Sequence, residues 1–147
     1  MKELIYKHCI THVEERLQRI QHTIARLQES LTSETKSTAG DKHETGRAMV
    51  QLEREKAGIQ LAEIQKLQQL LAKISLNANT AVVHLGSLVR TTRAVYFIAI
   101  SIGEVKIADE VVFAIAPNTP IGKLLLGKKR GESITFNDST QRILEIF

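Results

Sequence analysis

The sequence predicts an α+β protein in two parts. An N-terminal antiparallel coiled-coil helical hairpin is expected over residues 1–75, and a small α+β domain over residues 76–147. Three observations predict it. An apolar stripe recurs at coiled-coil spacing from Tyr6 to Leu31. A second, weaker stripe follows a short glycine-containing connector. Beyond Ser75 the helical period gives way to short β-like runs separated by turn residues.

In the first arm, Tyr6, Ile10, Val13, Leu17, Ile20, Ile24, Leu27 and Leu31 advance by alternating steps of four and three. That spacing keeps one apolar face turned toward a partner helix. No Gly or Pro interrupts the chain before Gly40.

The second arm runs from about Asp41 to Ser75, with a seam of Val50, Glu53, Ala57, Gln60, Ile64, Leu67, Leu71 and Ile74. Its polar members lie near the connector, so packing is expected to be tight at the base and thin toward the tip. Gly46 and Gly58 each weaken the helix by about 1 kcal/mol relative to Ala. Two seams joined by one short connector imply an antiparallel pair. About 28 residues per arm at a rise of ~1.5 Å would reach roughly 40 Å. In the connector, Ser37-Thr38-Ala39-Gly40, the glycine suits a left-handed helix stop and Asp41 an N-cap for the next helix.

Leu76-Asn77-Ala78-Asn79 reads as a linker. Strand-like runs follow at Ala81–Leu85, Arg93–Ile102, Val105–Ile115, Ser133–Phe136 and Arg142–Phe147. Gly86, Gly103, Pro117-Asn118, Gly131 and Asn137-Asp138 mark turns between them. Ile121–Leu126, after Pro120 and before Gly127, is expected to be a short helix.

Composition narrows the function. Hydrophobic residues make up 43% of the chain but aromatics only 4%, which favours aliphatic helix packing. The net charge of +4 is evenly spread: 12 basic against 10 acidic residues before Leu76, and 8 against 6 after Ser75. A dedicated nucleic-acid binder concentrates its basic residues. The single cysteine, Cys9, excludes an intrachain disulfide and a paired-thiol metal site, and points to a reducing compartment. No signal-peptide core fits the charged N-terminus, and no apolar run nears the ~18–20 residues of a membrane span. A cytoplasmic, soluble protein with no membrane partner is expected.

The chemistry-bearing residues are Asp41 and Glu44, three apart where one helical pattern ends and the next begins. Acids at the apex of a hairpin are not needed to hold it together, and they are well placed for delivery into another protein's active site. The same pair also suits helix capping: Asp41 can accept from backbone N–H groups and Glu44 can favour the helix dipole. The two roles are compatible, because a capped carboxylate is a positioned one.

Gly40-Asp41-Lys42-His43-Glu44, together with Pro120-Ile121-Gly122-Lys123-Leu124-Leu125-Leu126-Gly127-Lys128-Lys129-Arg130-Gly131-Glu132 and the terminal Ile143-Leu144-Glu145-Ile146, resembles the bacterial Gre (GreA/GreB-type) transcript-cleavage factors. Gly86-Ser87-Leu88-Val89 is similar to the start of that family's C-terminal domain. The resemblance implies a coiled-coil hairpin with a Gly-Asp-x-x-Glu tip, followed by an FKBP-like domain. It implies that bacterial RNA polymerase is the partner, entered through its secondary channel. It also implies that the nascent RNA 3′ end lies near the tip, where Asp41 and Glu44 help hold a second Mg²⁺ during cleavage of backtracked RNA. Hard divalent cations prefer oxygen ligands, and a second metal aids in-line displacement. On this reading the chain is not itself an enzyme and holds no cofactor tightly, since Mg²⁺ is shared only within the polymerase complex.

Several residues depart from the family pattern. Glu44 is followed by Thr45-Gly46-Arg47-Ala48, so later acidic and aromatic tip residues are missing, and Thr119 stands where Ser is usual. Lys42 and His43 partly offset the acids. Gly40, Lys42, His43 and Arg47 are therefore candidate modulators of tip chemistry, and Lys123, Lys128, Lys129 and Arg130 candidate polymerase contacts. Gly40 has a plainer reading as the residue that permits the turn, and the charged residues as solvated surface. Arg47, Arg54 and Lys56 could face RNA phosphates or make exposed pairs within the helix. His8, Cys9 and His12 provide too few ligands for a metal site. Three rivals remain: a channel-binding inhibitor without cleavage, a coiled-coil scaffold unrelated to transcription, and a prolyl isomerase. The last needs an aromatic-lined pocket, whereas Tyr96, Phe97, Phe113, Phe136 and Phe147 sit in runs that look like core strands.

Overall fold

The computed structural model describes the backbone of residues 1–36, 40–78 and 81–147, and side chains for residues 1–33, 45–78 and 81–147. Two long helices, α1 (Lys2–Lys36) and α2 (Gly40–Ala72), form the helical hairpin. Six strands and a short helix follow: β1 (Leu88–Thr91), β2 (Val95–Ile98), β3 (Gly103–Ile107), β4 (Glu110–Ile115), α3 (Pro120–Leu125), β5 (Ser133–Phe136) and β6 (Ser139–Ile146). The architecture is thus the expected α+β one. The chain divides into two compact units, Val13–Gln68, and Met1–His12 with Gln69–Phe147.

Within Val13–Gln68 the helices bury Val13 and Ile20 of α1 and Ala57 and Ile64 of α2. Burying a side chain such as Ile64 stabilises by about 1.5–3 kcal/mol. The α2 seam differs from the expected one at alternate positions. Glu53 and Gln60 are exposed, while their successors Arg54 and Leu61 are half-buried. The fixed positions Val50, Ala57 and Ile64 allow the intervening residue to sit on either side. Leu61 offers more apolar surface than Gln60 and turns the contact face its way. Arg54 extends along its own helix, with Nη1 3.2 Å from where a Cβ on Gly58 would stand.

In the other unit the base of α1 buries Ile5 and Cys9 completely, and α2 buries Leu71. The expected seam ran through Tyr6 and Ile10 instead, both of which are half-buried. Here the start of α1 belongs to the same compact unit as the sheet. Tyr6 keeps its hydroxyl at the edge, donating to the Leu71 carbonyl at 2.9 Å. Burial pushes the Cys9 thiol up to about 11.

The sheet order is β3-β4-β2-β1-β6-β5, antiparallel except for the parallel pair β2–β4. The expected single run Val105–Ile115 is a hairpin, with Ile107 opposite Glu110 and a two-residue turn of Ala108 (φ 46) and Asp109 (φ 69). Positive φ at both turn residues matches the strand twist, but Ala-Asp lacks the Asn-Gly or Asp-Gly chemistry that marks such turns. Asn137 (φ 52) and Asp138 (φ 63) close the β5–β6 hairpin as expected. Ala81–Leu85 is not a strand. Only Val82 bridges, to Lys129. The unexpected strand β1 is short and pairs with both β2 and β6, with a bulge between Arg90 and Thr91.

The domain core is Val83, Val89, Tyr96, Ile98, Leu125, Ile134 and Ile143, with Ile121, Leu124 and Leu126 packed against it. All four β2 positions are buried, so both faces of that strand are covered. Tyr96 and Phe113 rings lie 6.0 Å apart between centroids. Phe147 lies past the end of β6 and is 44% exposed, not in the core as expected. A buried polar knot fastens β1 to its neighbours: Gln141 Oε1 accepts from Thr91 Oγ1 at 2.7 Å and from Tyr96 Oη at 3.1 Å.

Candidate functional site

The acidic motif Gly40–Glu44 opens α2. That helix starts at Gly40, one residue ahead of the expected cap position. The side chains of Asp41, Lys42, His43 and Glu44 lie outside the described residues, as does the connector at positions 37–39. Arg47, the next candidate along α2, is exposed. By chain order the motif stands at the junction of the two hairpin helices.

The second motif, at Thr119–Gly131, is described in full. Thr119 has extended backbone (φ −75, ψ 159) and caps α3. Its Oγ1 accepts from Gly122 N at 3.2 Å and donates to the Ala116 carbonyl at 2.7 Å. The threonine hydroxyl therefore both caps the helix and ties it to the preceding loop. Pro120 occupies the first helical position, where its missing N–H costs nothing. Gly122 is required by closeness: a Cβ there would stand 2.3 Å from the Ala116 carbonyl oxygen and 2.9 Å from Thr119 Oγ1.

Beyond α3 the basic turn is pinned from two sides. Gly127 N donates to the Val83 carbonyl at 2.9 Å and Val83 N to the Lys128 carbonyl at 2.9 Å. Gly131 N donates to the Ile143 carbonyl and Ile143 N to the Glu132 carbonyl, both at 2.8 Å. Lys123, Lys129 and Arg130 are exposed on this frame, while Lys128 is half-buried with its Nζ 4.0 Å from Glu132. Three of the four expected contact cations are thus exposed and the fourth, Lys128, is partly neutralised.

Two polar arrangements escaped sequence reading. Arg90 on β1 pairs with Glu110 at the start of β4 through both terminal guanidinium nitrogens, Nη1 and Nη2, the longer contact being 3.4 Å. The hydrogen bond holds the Glu110 carboxyl below its usual range and raises the Arg90 guanidinium. The two strands are not neighbours, so the sequence gives no sign of the pair. Ser87 Oγ lies 2.8 Å from His84 Nδ1 and accepts from His84 N at 2.9 Å. Ser87 is fully buried, so this closes a turn and presents no nucleophile. Among the described residues no three His, Cys, Asp or Glu side chains gather as metal ligands, and no helix is long and apolar enough to cross a membrane.

A helical hairpin followed by a small β-rich domain with a cationic turn is the class of protein these features define. No protein-family model and no curated protein matches the sequence. Among solved structures, that of the transcription factor Gfh1 is similar over 96% of this chain and 92% of that one, at 19% identity and a TM-score of 0.35.

Proposed function

We propose that this chain is a Gre-like transcription elongation factor. Its hairpin enters the secondary channel of bacterial RNA polymerase and stimulates cleavage of backtracked RNA. The observation that carries the reading is the position of Gly40-Asp41-Lys42-His43-Glu44 at the junction of α1 and α2. The capped Thr119-Pro120-Ile121-Gly122 turn on the other unit supports it, because it builds the second motif of the same family resemblance.

The chemistry asks little of the chain itself. Asp41 and Glu44 offer hard carboxylate oxygens, the donor type Mg²⁺ takes. Two such groups leave most of an octahedral shell unfilled, so the ion would be held jointly with polymerase. When bound, it supplies charge stabilisation and a more acidic water. The helical arms of Val13–Gln68, about 35–45 Å long at 1.5 Å per residue, would carry the acids inward. Lys123, Lys129 and Arg130 would meet an acidic surface on polymerase from outside.

A regulator that occupies the channel without cleaving is the second reading. It is favoured by Thr45-Gly46-Arg47-Ala48, which replaces the further acidic and aromatic residues of the family tip. The test of binding common to both is co-purification with bacterial core polymerase. Retention of polymerase on the immobilised chain is expected, and its absence at low salt contradicts both readings.

A further inference from the structure

Within Val13–Gln68 a notch of about 200 Å³ opens between the two helices, lined by Arg16, Arg19, Ile20, Thr23, Gln60 and Ile64. Its floor is apolar and closed: Ile20 is 7% and Ile64 3% exposed. Its walls are polar, and none of the four wall side chains has a hydrogen-bond or ion-pair partner among the described residues. Arg16 is half-buried. Thr23 is informative because a helical threonine can turn its hydroxyl back on its own helix. Thr32 does so, donating to the Gln28 carbonyl at 3.0 Å. Thr23 makes no such bond, so its hydroxyl is available to the notch.

The wall groups share one chemistry. Arginine is a donor only, and threonine and glutamine can both donate. No carboxylate lines the cavity. Arg16 and Arg19, three residues apart on α1, both line the notch, and charge-assisted bonds from guanidinium groups to an anion are roughly twice as strong as neutral ones. The volume is below the ~300 Å³ at which pockets for drug-sized ligands begin, which favours a compact anion.

We infer that this notch is a binding site for a small phosphate anion of diphosphate size, held by Arg16 and Arg19 with Thr23 and Gln60 completing the donor set. The site is independent of the tip motif and of any polymerase complex. Pyrophosphate is the probe, titrated into the full-length chain at fixed ionic strength, with inorganic phosphate and a short single-stranded oligouridylate in parallel. Methyl NMR signals of Ile20 and Ile64 report occupancy. Saturable shifts of those methyls by pyrophosphate are expected, with weaker binding of phosphate. Arg16→Gln and Arg19→Gln should each weaken binding roughly tenfold, as loss of a charged hydrogen bond does. Thr23→Val should weaken it about threefold, as loss of one neutral bond does. Arg26→Gln, an exposed change outside the notch, should leave affinity unaltered. Equal loss in Arg26→Gln, or none in Arg16→Gln, overturns the site. Stronger shifts of the two methyls by the RNA than by pyrophosphate overturn the ligand class.

Discussion

Replacing Gly122 by alanine tests the construction of the C-terminal motif. In most helices this exchange stabilises by about 1 kcal/mol. Here the added methyl would stand 2.3 Å from the Ala116 carbonyl oxygen, 2.9 Å from Thr119 Oγ1 and 3.0 Å from the Pro117 carbonyl oxygen. Two of these atoms are backbone, and the third is the capping hydroxyl that already bonds Ala116 and Gly122. The loop before α3 must therefore move. Overpacking of this kind costs about 1–3 kcal/mol and loss of an N-cap about 1 kcal/mol. After the helix-propensity gain, the net expectation is a loss of about 2 kcal/mol. In a unit of this size that lowers the melting temperature by roughly 10–15 °C. The control is Gly103→Ala, where φ is +80 and nothing lies within 4 Å. It should cost only the left-handed strain of about 1 kcal/mol. Thermal unfolding followed by circular dichroism measures both. A Gly122→Ala protein that melts at or above wild type, or above Gly103→Ala, refutes the reasoning.

Four further outcomes follow from the same geometry. Ile64→Ala should cost about 2–5 kcal/mol in urea unfolding, whereas Ile59→Ala, at a position 63% exposed, should stay within about 0.5 kcal/mol of wild type. Gln141→Ala takes the acceptor from the Tyr96 hydroxyl, while Thr91 keeps the Ala94 carbonyl at 3.1 Å, and should cost about 1–2 kcal/mol. Cys9, buried and pushed up to about 11, should resist a thiol reagent at neutral pH until denaturant is added. Glu110 is held below its ordinary value when folded. Its pairing with Arg90 should thus support stability above the carboxylate's unfolded value and fade as pH falls through the folded one. Glu110→Gln should narrow the gap in melting temperature between neutral and acidic pH, modestly, because both side chains are about one-third exposed.

The hairpin was legible because heptad spacing is a local signal: Val13, Ile20 and Ile64 read as buried from the sequence and are buried. The base of α1 was not: Ile5 and Cys9, off the seam read from Tyr6 and Ile10, are the residues fully buried there. In the sheet, Asn137-Asp138 announced its hairpin through side chains that tolerate positive φ, while Ala108-Asp109 adopted the same geometry without that signature. The β2–β4 pair is parallel and joins strands that are not consecutive, so neither it nor the Arg90–Glu110 contact across it has a local trace. At the candidate site, Thr119, Pro120 and Gly122 were visible as a motif, and their spacing is explained by the cap and the close approach it encloses. The notch at Arg16 and Arg19 was invisible, since only the alignment of α1 with α2 brings Thr23 and Gln60 to the same cavity.

The proposed role rests on Asp41 and Glu44 acting inside another protein's catalytic centre. Stalled, backtracked complexes of bacterial RNA polymerase with 3′-labelled RNA measure this directly. Wild-type chain should release short 3′ fragments at least tenfold faster than polymerase alone, an acceleration typical of one positioned acid–base or metal-assisting group. Asp41→Ala and Glu44→Ala should each abolish the gain while still co-purifying with polymerase. Fragment release that is stimulated equally by both variants contradicts the assignment of the tip acids.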